Sequence, residues 1–195
     1  MSQPERSPVM GFDEFLHWRR DRPDGERHEL VAGEVVAMAA EKNRHVLVKS
    51  DARDALRRAV RVAGAGCTVF GDGATIRIDE HTGYVPDVLV HCGGRIDPDA
   101  TTVDDPMILV EVLSPATGHV DSSDKLLGYF QLPSVRHYLV VDPVRYALVH
   151  HRRDGDGVST ALVREGGIRL DPPGLDLELD ELFESLRAHD APHGT

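Results

Sequence analysis

Only two cysteines, Cys67 and Cys92, occur in 195 residues. They are too few for a disulfide framework, and no Cys-x-x-Cys knuckle is available for zinc. They read as isolated thiols in a reducing, cytoplasmic setting. Long apolar runs are missing too. The longest, such as Met107–Leu113 and Tyr138–Val141, fall far short of the roughly 20 residues a membrane span needs. The first residues, Met1-Ser2-Gln3-Pro4-Glu5-Arg6, open no apolar signal region. Positive charge is scarce: 22 Lys+Arg stand against 33 Asp+Glu, a net charge of -11. That balance works against a protein that coats nucleic acid, because phosphate affinity comes mainly from Lys and Arg. It leaves room for a local basic patch or a metal-dependent site. No internal repeat and no low-complexity block occurs.

What is present fits one soluble globular domain. The chain is 41% hydrophobic, too apolar for a disordered protein and long enough to build a core without staples. Residues 1–10 read as a flexible leader, 11–187 as the domain, and 188–195 as a flexible tail. Phe12–Arg20 has the spacing of a short amphipathic helix. Arg22-Pro23-Asp24-Gly25 is a turn. Arg27–Ala32 and Glu34–Ala39 form a hairpin around Ala32-Gly33. A long helix follows over Glu41–Ala63, ended by Gly64. Strands are expected at Cys67–Phe70, Ala74–Ile78, Val85–His91 and Met107–Leu113, with a polar loop over Gly93–Asp105. Asp121–Leu132 reads as a second helix. A meander over Arg136–Asp142, Arg145–Arg152 and Val158–Arg164 follows, and Leu175–Leu186 closes as a short helix. This order predicts an α/β protein with a mixed central β-sheet flanked by helices.

Glu111 breaks an otherwise apolar strand. Alternation puts Leu109, Glu111 and Leu113 on one face and Ile108, Val110 and Val112 on the other. An ionised carboxylate cannot be buried cheaply without a partner. Glu111 therefore calls for a metal or other cation or a raised pKa; a structural ion pair with a nearby Arg is the plain alternative. Asp87 follows Pro86 at the mouth of a Val/Leu-rich strand, where Pro is tolerated. Lys125 lies one turn into the helix after the Glu111 strand, and the short 114–120 connection can return it to that strand's end. Two carboxylates and a lysine at strand ends can hold a hard cation such as Mg²⁺ and stabilise charge at a phosphate.

Other candidates are weaker. His45, His91, His119, His137, His150 and His151 show no His-Glu-x-x-His or similar ligand spacing. Most read as surface residues. His45, near the start of the long helix, is placed to approach the site, with a helix-surface or packing role as the plainer reading, and His91 shares the strand face of Asp87. On a strand, His150 and His151 point to opposite faces. Ser114 lacks a Gly-x-Ser-x-Gly elbow. Gly71-Asp72-Gly73 is a hairpin turn, since no Lys-Ser/Thr follows it. Arg53, Arg57, Arg58 and Arg61 form the strongest basic cluster, read first as a solvated helix face.

From Phe12 to about Phe183 the chain resembles the Uma family of restriction-endonuclease-like proteins, in the PD-(D/E)XK nuclease superfamily. The resemblance rests on Phe12-Asp13-Glu14-Phe15-Leu16 and on Glu29-Leu30-Val31-Ala32-Gly33-Glu34-Val35-Val36. It continues through Tyr84-Val85-Pro86-Asp87-Val88-Leu89-Val90 and Leu109-Val110-Glu111-Val112-Leu113-Ser114-Pro115-Ala116-Thr117. It ends with Asp124-Lys125, Tyr129, Tyr138-Leu139-Val140-Val141-Asp142-Pro143 and Gly174-Leu175-Asp176-Leu177.

That resemblance implies a restriction-endonuclease-like core and hydrolysis of DNA phosphodiester bonds with Mg²⁺ or Mn²⁺. It implies Asp87 and Glu111 as metal ligands, Glu34 as an additional acid, and Lys125 as the catalytic cation. In the wider superfamily the lysine sits two residues after the second acid, a position held here by Leu113. The stretch Gly118-His119-Val120, often basic in relatives, is not basic here. This supports the metal site better than tight DNA binding. A non-enzymatic nuclease-fold scaffold and a metal hydrolase of a small phosphorylated substrate are the alternatives. A homodimer is expected through the strand-rich 136–164 region.

Overall fold

The computed structural model describes residues 9–23, 26–114 and 121–190. In chain order its elements are α1 (Phe12–Arg20), β1 (His28–Val31), β2 (Glu34–Ala37), α2 (Asn43–Ala63), β3 (Cys67–Phe70), β4 (Ile76–Arg77), β5 (Gly83–Tyr84) and β6 (Val88–Cys92). Then come β7 (Pro106–Val112), α3 (Asp121–Gln131), β8 (His137–Asp142), β9 (Ala147–Asp154), β10 (Gly157–Val163), β11 (Gly167–Leu170) and β12 (Leu175–Glu178). A 3₁₀ turn over Leu179–Phe183 leads into α4 (Glu184–Asp190).

The central sheet has six strands in the order β10-β9-β8-β7-β6-β3. Only β7 and β8 run parallel, and α3 makes the crossover between them. Antiparallel pairing elsewhere makes the sheet mixed. A smaller sheet, β2-β1-β5-β4, carries the first hairpin, and β11-β12 form a separate ribbon.

The alternation of β7 sorts its side chains as expected. Ile108, Val110 and Val112 join the core under α2, α4 and the 3₁₀ turn, whereas Leu109 and Leu113 join Tyr129 and Tyr138 on the α3 side. Within α2, Val48, Ala52, Ala55, Leu56 and Ala59 recur at helical spacing and are buried. Gly64 ends that helix in the left-handed region, at φ 61°, where a residue without Cβ is favoured. A third cluster, Phe12, Phe15 and Leu30, seats α1 on the small sheet.

Several expectations need correction. Leu175–Leu186 does not open as a helix. Leu175 and Leu177 are buried while Asp176 and Glu178 are exposed, so alternation makes β12, and helix begins only after it. That closing helix runs to Asp190, so residues 188–190 are not tail. The cysteines are not isolated: β3 and β6 set Cys67 opposite Cys92, and the two form a disulfide. The reducing setting inferred from lone thiols therefore loses its support. His137 and His150, read as surface residues, are buried and hydrogen-bonded to each other at 2.9 Å. Their partner groups explain this, since His137 Nε2 also lies 2.9 Å from the Pro172 carbonyl. Most of the 1–10 leader, Asp24-Gly25 of the first turn, Gly118-His119-Val120 with the rest of 115–120, and residues 191–195 of the tail lie outside the described residues. No described helix is long and apolar enough to cross a membrane.

Candidate active site

The ladder between β6 and β7 pairs Val88 with Val110 and Leu89 with Leu109. Extending that register by one residue sets Asp87 opposite Glu111, where directly opposed side chains share a face. The main-chain pairing stops there, and the Asp87 side chain takes over. Its Oδ2 accepts from the Val112 amide at 2.8 Å. Asp87 is 3% exposed. A carboxylate at a strand mouth, fixed by a backbone donor, is oriented before anything binds.

Lys125 comes from α3 on the same side of the sheet. Its ammonium lies 3.1 Å from Glu111 Oε1 and 3.0 Å from Glu29 Oε1. Tyr129, one turn further along α3, donates to Glu111 Oε1 at 2.7 Å. Glu29 Oε1 also accepts from the Val85 amide at 2.7 Å, which ties β1 to the segment that delivers Asp87. Lys125 and Glu29 are both buried.

A second group reaches Asp87 from α2. His45 Nε2 is 3.2 Å from Asp87 Oδ2 and 3.7 Å from Glu41 Oε1. Lys49 bonds Glu41 at 2.7 Å and Asp72 at 2.9 Å, and lies 3.7 Å from Asp87. Arg27 pairs with both Glu41 and Asp72. Asp87 thus contacts the polar network from α2 and the β3–β4 connection, and faces the one from α3 and β1 through its position opposite Glu111.

Electrostatics separate the two acids. Burial, with the nearby charges of Asp87 and Glu29, outweighs Lys125 and Tyr129 and pushes the Glu111 carboxyl up to about 8. Burial acts in the same sense on Asp87, but His45, the Val112 amide and Lys49 overcome it and hold that carboxyl below its usual range. Burial and the facing Glu111 raise the Tyr129 phenol well above its ordinary value, so it stays a donor. With all acids ionised, Asp87, Glu111, Glu29, Glu41 and Asp72 stand against Lys49, Lys125 and Arg27. Five negative charges against three positive leave an excess that a divalent cation would neutralise.

The donor chemistry fits such a cation. Asp87 and Glu111 offer only oxygen, the ligand that Mg²⁺ and Mn²⁺ prefer. Glu41, His45 and Asp87 form a mixed oxygen and nitrogen group whose candidate ligand atoms all lie within 4.8 Å of one another. There, Lys49 and Arg27 already engage the Glu41 carboxylate. That makes Glu41 the less available donor.

Asp87, Glu111 and Lys125, expected to converge, do converge. Glu34 does not join them. It faces Val31 at the tip of the β1–β2 hairpin, is exposed, and makes no hydrogen bond or ion pair among the described residues. The buried acid from that motif is Glu29, two residues before Val31 and therefore about 7 Å further down the same strand face. Of the two roles open to His45, approach to the site and packing, the structure shows the first: it contacts Asp87. His91 Nδ1 donates to the Asp104 carbonyl, 3.0 Å away. Gly71-Asp72-Gly73, expected as a hairpin turn, instead links two sheets, since β3 pairs with β6 and β4 with β5; neither Asp72 nor Lys49 carried a local signal of site membership. Of the α2 arginines, Arg53 lies near Asp54 and Arg58 near Glu181, as a solvated face would.

Residues 12–182 match the model of the Uma2 family, "Putative restriction endonuclease". The chain belongs to the Uma2 family. An uncharacterized protein of Synechocystis sp. is 27% identical over 182 residues, covering 92% of this chain and 94% of that protein. A crystal structure from Anabaena variabilis, of "a putative nuclease belonging to DUF820", superposes with a TM-score of 0.72 at 17% identity. It covers 91% of this chain and 99% of the other, so this Uma2 member shares that fold over nearly its whole length.

Proposed function

We propose that this Uma2 protein is an endonuclease that hydrolyses phosphodiester bonds of DNA with Mg²⁺ or Mn²⁺. The observation that carries this reading is the meeting of Asp87, Glu111 and Lys125 at one end of the β6–β7 pair. The family match and the nuclease neighbour support the reaction class. Asp87 and Glu111 would hold the cation. A bound divalent ion lowers the pKa of its water and offsets charge on the phosphate. Lys125, held by Glu29 and Glu111, presents its ammonium where negative charge develops at the scissile phosphate. Glu29 and Tyr129 are positioning residues, since each fixes a partner that faces the substrate. His45 and the Val112 amide together steady the Asp87 carboxylate, both reaching its Oδ2.

Cleavage of plasmid and single-stranded DNA with Mn²⁺, by wild type, Glu111→Ala and Lys125→Ala, tests the assignment. Both variants should lose at least a hundredfold in rate, in line with the loss of one electrostatic stabiliser. Equal activity in all three discards it. The non-enzymatic scaffold draws support from the saturation of Glu41 and Asp72 by Lys49 and Arg27. Calorimetry separates the two readings: Mn²⁺ binding that disappears in Asp87→Ala favours the enzyme, and no binding at all favours the scaffold.

A further inference from the structure

The edge strand β10 stands out from the rest of the sheet. It ends the six-stranded sheet, pairing with β9 on one side and with no described strand on the other. At seven residues it is long for an unprotected edge, and Gly157-Val158-Ser159-Thr160-Ala161-Leu162-Val163 contains neither charge nor proline. Natural edges usually carry one of these devices, because a bare edge recruits another strand. The opposite edge, β3, is only four residues long. Val158 and Leu162 on β10 are 41% and 58% exposed.

The strand is also self-complementary. Set two copies antiparallel about a two-fold axis through Thr160. Val158 of one copy then lies level with Leu162 of the other, and Gly157 with Val163. Just beyond the strand ends, Asp156 in the two-residue β9–β10 turn comes near Arg164 of the other copy. Both charges are exposed, and neither has an ion pair within its own chain among the described residues. The two-fold repeats this match at both ends of the pair. Shifting either way by one pairing step sets Asp156 against Leu162 or Arg164 against Val158, so charge and apolar pairing select the same register. A symmetric dimer requires such a patch that complements itself.

We propose that β10 pairs with β10 of a second copy of this chain, joining two six-stranded sheets into one continuous sheet across a two-fold axis. The strand supplies unpaired main-chain groups, and the Asp156–Arg164 matches fix its direction and register.

The test is oligomeric state, which does not depend on any nuclease activity. Sedimentation equilibrium of the full chain should give twice the 21.4 kDa chain mass at tens of micromolar. Asp156→Arg alone, or Arg164→Asp alone, sets like charges against each other twice per dimer. Each should weaken dimerisation about tenfold, the effect of two cross-strand pairs turned repulsive. The double variant Asp156→Arg/Arg164→Asp restores opposite charges and should restore the dimer. Leu162→Lys should weaken it whatever the flanking charges. Circular dichroism checks that each variant is folded; the substitutions lie at exposed sites, so the folded signal should persist. A monomeric wild type overturns the proposal. So does a dimer that survives both single variants and Leu162→Lys, or a double variant no better than the singles.

Discussion

The Lys125 ammonium lies 3.1 Å from the Glu111 carboxylate, although one belongs to α3 and the other to the middle of a buried sheet. The same ammonium reaches Glu29 on β1. Three elements therefore depend on one cation. Replacing it by Met keeps the apolar stem and leaves Glu29 buried without its ammonium. Removing one partner of a buried pair costs about 3–5 kcal/mol. Val85 still donates to Glu29, which argues for the lower end. Urea unfolding of Lys125→Met should show a loss of about 3 kcal/mol. A loss below 0.5 kcal/mol, the scale of a surface substitution, contradicts the burial argument.

Glu111 gives the metal-free protein an unusual dependence on pH. Its carboxyl titrates near 4.5 in the unfolded chain and at about 8 in the fold. Between those values the folded state keeps a proton that the unfolded state has released. Its contribution to stability is complete below pH 4.5 and declines as pH rises through 8. Asp87 works in the opposite sense, losing its contribution as pH falls below its ordinary range. Unfolding midpoints measured in chelator from pH 5 to 9 should fall for wild type and fall less for Glu111→Gln. In Lys125→Met the decline should move to higher pH, because the cation that lowers the Glu111 carboxyl is gone. Parallel curves for wild type and Glu111→Gln would show that the group does not titrate in this window.

How much of this was legible depended on the range of the signal. Most elements up to β10 follow from local patterns: alternation in β7, helical spacing in α2, and Gly64 at its end; β5 does not, since Gly83 reads as a turn and becomes strand only by pairing with β1 and β4. Glu111 was readable because it breaks an apolar strand, whereas Asp87 and Lys125 were readable through the strand mouth, the short connection to α3 and the family resemblance. The Cys67–Cys92 bond was not, since it depends on β3 finding β6 in register across 25 residues. Lys49 and Asp72 were not, because a charged helix residue and a turn aspartate look the same whether solvated or buried. Glu29 was hidden by its own motif. It sits between Arg27, His28 and two apolar residues, and only the pairing of β1 with β2 and β5 reveals that it turns inward.

The motif holds two acids, and the fold separates them by burial. Glu29→Ala strips the Val85 amide and Lys125 of an acceptor, and an unsatisfied buried donor costs about 1–3 kcal/mol. Glu34→Ala touches an exposed side chain with no partner and should stay within about 0.5 kcal/mol of wild type. The same contrast should appear in Mn²⁺-dependent cleavage, with Glu29→Ala impaired and Glu34→Ala unaffected. The reverse order would return the supporting role to Glu34.

Gly128 offers a test in which two effects carry opposite signs. It lies within α3, where Ala is favoured over Gly by about 0.8–1 kcal/mol. Propensity alone predicts that Gly128→Ala stabilises the protein. The fold predicts otherwise, because a Cβ there would come within 2.8 Å of the Tyr84 ring. Tyr84 is 4% exposed and stacks edge-on with Tyr129 at 5.4 Å, so it has little room to withdraw. Overpacking a filled core costs about 1–3 kcal/mol, which exceeds the propensity gain over most of its range. The helix would shift instead, and Lys125 and Tyr129 shift with it, since both lie within one turn of Gly128. Gly128→Ala should therefore lower both the unfolding temperature and the rate of Mn²⁺-dependent cleavage, and the pH at which Glu111 loses its proton should move. A variant that is more stable than wild type, with unchanged pH dependence, would mean that α3 does not press on Tyr84 as closely as this packing requires.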